Sequence, residues 1–167
     1  MHVTSMQITT RQHQQFEISN HRVGWHCVLQ YSIEADGHCS FTGAANGWMR
    51  YQQHGWKIYA QPSDVYSIAD ISISHHSEMV LQLRQQGVRY VFKRMSFGRT
   101  RFMLLNEAED EIVALLPTVN WGKSSYEFSI QINDEFQELL TPLLSVICLH
   151  CAIQSLKMMN GEEIVHG

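Results

Sequence analysis

Residues 141–161 read Thr-Pro-Leu-Leu-Ser-Val-Ile-Cys-Leu-His-Cys-Ala-Ile-Gln-Ser-Leu-Lys-Met-Met-Asn-Gly, and the fold follows from how that run is interpreted. Thr141 can cap a helix, and Pro142 at the first helical position gives up no needed hydrogen bond. Asn160-Gly161 is a strong stop signal. A helix over 142–159 would be about 27 Å long at 1.5 Å per residue. Leu143, Leu144, Val146, Ile147, Cys148, Leu149, Cys151, Ala152, Ile153, Leu156, Met158 and Met159 leave it no broad polar face. Such a helix must be surrounded by protein or by lipid. Ser145, His150, Gln154, Ser155 and Lys157 interrupt the apolar run, whose dense part covers only 143–153. A membrane span needs about 20 predominantly apolar residues, so a buried core helix is expected rather than a tail anchor.

The preceding chain reads differently. From about residue 6 to residue 132, short β-type runs alternate with turn signals at roughly 8–12-residue spacing. Trp25, Cys27, Leu29, Tyr31 and Ile33 alternate with His26, Val28, Gln30 and Ser32, a period of two. Residues 34–37 (Glu-Ala-Asp-Gly) form a hairpin turn, residues 38–42 return, and residues 43–47 break the run. Runs at 48–51 and 56–59 flank a His54-Gly55 turn, and 66–74 alternates again. Runs at 79–83 and 88–92 flank Gln86-Gly87. Ser96-Phe97-Gly98 turns into 99–105, and an acidic turn at 106–110 leads to a strand at 111–116 that Pro117 should stop. Residues 123–132 place Tyr126, Phe128, Ile130 and Ile132 on one face, and 133–140 suits a short turn of helix. An eight-stranded barrel encloses only side chains, whereas about 11 strands leave room for a central helix. The expected fold is therefore mainly β (α+β): a closed barrel of about 12 strands around one buried apolar C-terminal helix, about 142–159. Residues 1–167 form one domain, because no Pro- or Gly-rich linker divides them.

The chain is 44% hydrophobic and 17% charged, which argues against disorder. A net charge of -4 argues against nucleic acid as a partner. Met1 to Gln7 offers neither a basic n-region nor an apolar h-region, so no signal peptide is expected. Four cysteines are read as reduced thiols in a cytoplasmic protein.

The order of elements resembles a known group. Phe97-Gly98-Arg99-Thr100-Arg101-Phe102, the turn and strand over 106–113, Tyr126-Glu127-Phe128-Ser129-Ile130 and the apolar helix over 143–159 carry the likeness. Over about residues 79–159 the chain resembles the tubby C-terminal-like superfamily, especially its LURP-one-related and phospholipid-scramblase-like branches. The resemblance implies a 12-stranded barrel with a buried helix and, for some members, phosphoinositide binding or membrane association; it implies no enzyme. Where such families carry an acidic residue late in the helix, this chain has Gln154, so a calcium-linked role is not carried over.

Arg89, Lys93, Arg94, Arg99 and Arg101 are five cations within thirteen residues, with no acid among them. Alternation puts Arg89 and Lys93 on one strand face and Arg94 on the other, with Arg99 and Arg101 on the return strand. Arginine's planar fork matches phosphate oxygens, so this hairpin is the candidate anion-binding site. Its plain alternative is a solvated strand edge that charges keep from pairing. The pairs His26-Cys27, His38-Cys39 and His150-Cys151 and the doublet His75-His76 invite a zinc reading. Adjacent strand residues point to opposite faces, so a strand pair cannot chelate from one face; Cys148-x-x-Cys151 lies within the apolar helix, and no second Cys-x-x-Cys completes a four-ligand site, so a structural role is expected. Trp25, Trp48, Trp56 and Trp121 are read as core and rim residues.

The functional expectation is a non-enzymatic binding module, without cofactor or metal. It would recognise an anionic lipid headgroup or membrane surface, or a protein partner, and would be peripheral when on a membrane. An enzyme of unrecognised class and a carrier barrel for a small apolar ligand are the alternatives. A helix filling the interior disfavours the carrier, and a cluster of perturbed titratable groups in one pocket would favour the enzyme.

Overall fold

A computed structural model describes residues 6–12, 14–32, 37–74, 78–95, 99–120 and 125–159. It contains β1 (Met6–Gln12), β2 (Gln15–Asn20), β3 (Trp25–Tyr31), β4 (His38–Gly43), β5 (Gly47–Gln52), β6 (Gly55–Tyr59), β7 (Ala69–Ile73), β8 (Met79–Leu83), β9 (Val88–Met95), β10 (Arg101–Leu105), β11 (Glu111–Asn120) and β12 (Ser125–Ile132). A 3-10 turn (Asp134–Leu139) and one helix, α1 (Pro142–Met159), follow. Each strand pairs antiparallel with the next in sequence, and β1 comes to lie beside β12, so the sheet curls into a nearly closed barrel.

Alternation decides what faces inward. Ile18 pairs with Cys27, Phe16 with Leu29, Leu29 with Phe41, Tyr31 with Cys39, Cys39 with Met49 and Met49 with Ile58, and all are buried. The rows continue through Trp56–Ile71–Leu81–Tyr90 and close on Leu115–Ile130 and Val113–Ile132. α1 fills the lumen that these rows surround: every residue from Leu144 to Leu156 is buried. Thr141 caps it, its Oγ1 accepting from the Leu144 N–H at 3.2 Å. Asn133 likewise caps the 3-10 turn through the Glu135 N–H at 3.2 Å. By length and hydropathy α1 could cross a membrane, yet its apolar surface is already packed against the barrel wall.

Three expectations change in detail. Pro117 does not stop β11, which runs through it to Asn120 with Pro117 opposite Phe128. β10 begins only at Arg101, and its ladder reaches no further along β11 than Leu115. Pro117 is therefore flanked by β12 alone, an edge-like setting that tolerates its missing N–H. The turn after β5 uses Gln53 and His54, both at positive φ, while Gly55 opens β6. A Cβ on Gly55 would land on the Ile71 carbonyl oxygen, so that glycine serves a close strand approach rather than a turn. The strand expected over 66–74 is β7, Ala69–Ile73, and Tyr66 sits exposed before it. The turns expected at 34–36 and 96–98, with Ile33, His75-His76, Trp121 and Asn160-Gly161, lie outside the described residues.

Candidate functional site

The basic hairpin splits into three environments. Arg89 and Lys93 project outward from β9, in register with Gln82 of β8 and Met103 of β10 respectively. With Val91 and Leu105 they line a surface cavity of about 480 Å³ that also contains Glu78, Glu107 and Glu109. Arg94 and Arg99 are exposed. Arg101 is engaged elsewhere: its guanidinium forms an ion pair with Glu111 and touches the Met103 sulfur at 2.8 Å. That pairing depends on the register shift at Leu104/Leu105, which sets Glu111 opposite Leu105 on the outer face. The Arg101 side chain thereby lies along Met103, which with Leu105 and Ala114 forms a small buried apolar cluster on the outer wall.

Inside the barrel, the cysteines and one histidine gather against the helix. Cys27, Cys39, Cys148 and Cys151 are buried free thiols. His150 projects from α1 between β3, β4 and β6. Its Nδ1 is 2.7 Å from the Tyr31 hydroxyl and 3.9 Å from the Cys39 sulfur, and its ring meets Trp56 edge-on at 4.3 Å. Burial first, and then the nearby Lys157 charge, lower the His150 pKa to about 3. Burial also pushes the Cys148 thiol up to about 12 and raises Tyr31, Cys39 and Cys151 well above their ordinary values. These groups are held neutral, as packing elements rather than acids, bases or nucleophiles at ordinary pH. Strand alternation hides from the sequence that Cys39 and His150, drawn from two different His-Cys pairs, meet across strand and helix. His26 faces outward, 3.6 Å from Glu17. Among the described residues no three His, Cys, Asp or Glu side chains are grouped to hold a metal ion.

A second surface feature carries no sequence signature. On the outer face of β3, β4, β5 and β6, Gln30, Ser40, Trp48 and Tyr59 form one cross-strand row, and His38, Arg50 and Lys57 the next. Pro62, in the loop after β6, lines one side, and the open cleft measures about 550 Å³. The Arg50 guanidinium lies 4.3 Å from the Tyr59 ring centroid.

Comparison of the chain with protein-family models, with curated proteins and with solved structures gives no match. The functional reading rests on the molecule itself.

Proposed function

We propose that this chain is a non-enzymatic binding module of the tubby-like kind, which docks on anionic phospholipid headgroups through the basic hairpin of β9 and β10. The observation that carries this reading is the filled lumen. With α1 occupying the interior, recognition falls to the outer wall, and a carrier role for an apolar ligand inside the barrel loses its space. On that wall Arg89 and Lys93 share a cavity large enough for a phosphate-bearing group. Arg94 and Arg99 add long-range attraction. A sequential antiparallel barrel around a C-terminal helix supports the tubby-like assignment. Glu78, Glu107 and Glu109 at the same cavity keep the affinity modest and strongly salt-dependent.

Co-sedimentation with phosphatidylcholine vesicles, with and without phosphatidylserine, tests the reading. Binding should require phosphatidylserine and fade as salt is raised. Each neutralised cation contributes about 1 kcal/mol, so the Arg89→Gln/Lys93→Gln/Arg99→Gln variant should bind on the order of a hundredfold more weakly. Arg101→Gln should matter less, because Glu111 already neutralises that side chain. Wild-type protein that ignores anionic vesicles at low salt refutes the proposal.

A further inference from the structure

The cleft over β3–β6 differs from the hairpin cavity in how its charge is balanced. Among the described residues, two cations and three carboxylates line the hairpin cavity, whereas the cleft is lined by Arg50, with His38 beside it in register, and by no carboxylate. Lys57, beside Arg50 in register, is already occupied: it lies 3.4 Å from Asp70, which Arg84 also holds at 2.7 Å and the Ser67 hydroxyl at 2.7 Å. Burial alone would raise the Asp70 pKa, but the Ser67 and Arg84 hydrogen bonds and the Lys57 charge bring it below the usual carboxylate value. Among the described residues nothing comparable is offered to Arg50. Its Nε is shielded from solvent and has no hydrogen-bond partner, and no ion pair involves it among the described residues. A shielded N–H without an acceptor costs free energy, and no protein acceptor among the described residues holds this fork.

The guanidinium is also pre-positioned. Tyr59 sits diagonally across the β5–β6 ladder, paired with Trp48, and its ring supports the guanidinium by a cation–π contact. Holding the guanidinium against the ring favours bidentate contact with a carboxylate, since less further ordering is needed on binding. The rest of the lining suits an apolar body. Trp48 and Pro62 provide flat apolar surface, and Gln30 and Ser40 provide neutral polar groups between them. A cleft of about 550 Å³ falls within the range of small-molecule sites. We infer that this cleft is a binding site for a small aromatic carboxylate, with its carboxylate on Arg50 and its ring system against Trp48 and Pro62. The site is separate from the basic hairpin and does not depend on membrane binding.

Calorimetric titration of the full chain with 2-naphthoate, 2-naphthol and inorganic phosphate tests this. The expected result is one 2-naphthoate site per chain. The neutral naphthol, which lacks the charge, and phosphate, which lacks the apolar body, should each bind about tenfold or more weakly. Arg50→Met should weaken 2-naphthoate by a similar factor and leave 2-naphthol unchanged. Ser40→Trp, which fills the cleft from its half-buried lining, should abolish both, and urea unfolding checks that each variant is folded. Arg89→Gln/Lys93→Gln should bind 2-naphthoate like the wild type, and Arg50→Met should bind anionic vesicles like the wild type, so the two sites fail or stand separately. Absence of 2-naphthoate binding, equal affinity for 2-naphthol, or wild-type affinity in Arg50→Met overturns the inference.

Discussion

Lowering the pH from neutrality to about 5 should destabilise this protein through a single buried side chain, His150. Its ring is fully buried in α1, Nδ1 is matched by the Tyr31 hydroxyl, and Nε2 has no partner. Lys157 lies 5.1 Å from the centroid of the same Tyr31 ring, so a second positive charge there would be repelled as well as desolvated. The folded state therefore holds the His150 pKa at about 3, against 6.5 for a free side chain. Below 6.5 the unfolded chain takes up a proton that the folded chain refuses. The stabilisation is complete above the unfolded pKa and is lost progressively as pH falls from 6.5 towards 3. The slope in that window is about 1.4 kcal/mol per pH unit, so the loss on going from neutral pH to pH 5 is about 2 kcal/mol. Asp70, with its lowered pKa, adds to the loss only at more acidic pH, below its ordinary value of 3.8. Urea unfolding of wild type and His150→Phe across this range is the assay. The variant should start less stable, because the Tyr31 hydroxyl loses one of its partners, yet its profile should be flatter by about 2 kcal/mol between pH 7 and pH 5. Parallel profiles would refute the claim that His150 is buried in its neutral form.

Two further expectations concern the fold. Leu149 is fully buried in α1, and Leu149→Ala should cost about 2–5 kcal/mol in urea unfolding, while a chain ending at Leu140 should aggregate or lack a cooperative transition. A soluble, sharply melting fragment would mean that the strands close without the helix. Gly43, at φ 119°, and Gly87, at φ 62°, should respond unequally to alanine. A Cβ on Gly43 would collide with the His26 carbonyl oxygen, which accepts from the Ala44 N–H at 3.0 Å, whereas a Cβ on Gly87 meets open space. Gly87→Ala then carries only the left-handed strain, about 1–2 kcal/mol, and Gly43→Ala should lose clearly more; equal losses would contradict the close approach at Gly43.

The parts of the fold legible in the sequence are those that depend on local periodicity. Cys27, Leu29 and Tyr31 face the core as their alternation requires, and Thr141-Pro142 starts the helix where capping chemistry places it. Pro117 misled because its tolerance depends on where β10 begins, which is a property of the neighbouring strand and not of the residues around the proline. The same limit governs the sites. Arg89 and Lys93 share an outer face, as a period of two demands, but the acids beside them arrive from the residue before β8 and from the β10–β11 turn. Arg50 stands alone among aromatic neighbours in the sequence. Its setting comes from a row assembled across β3, β4, β5 and β6, and no stretch of chain displays that row.

Counting cations ranks the hairpin first; accounting for their counterions and hydration reverses part of that order. Arg101 is neutralised by Glu111, and Arg89 and Lys93 face three carboxylates, so the described lining of that cavity sums to −1 and the attraction falls to the exposed Arg94 and Arg99. What the hairpin offers is diffuse attraction, suited to a surface bearing many charges and weakened by salt. Arg50 is one charge, but its Nε is out of water, its guanidinium rests 4.3 Å from the Tyr59 ring centroid, and the carboxylate in its register row, Asp70, is taken by Lys57 and Arg84. In such a setting an ion pair formed at about 4 Å is worth several times its value in bulk water. The two proposed sites would thus give the outer wall two kinds of anion recognition. Both are confined to that wall for the same reason: α1 has made the interior a packed core that keeps even its histidine uncharged.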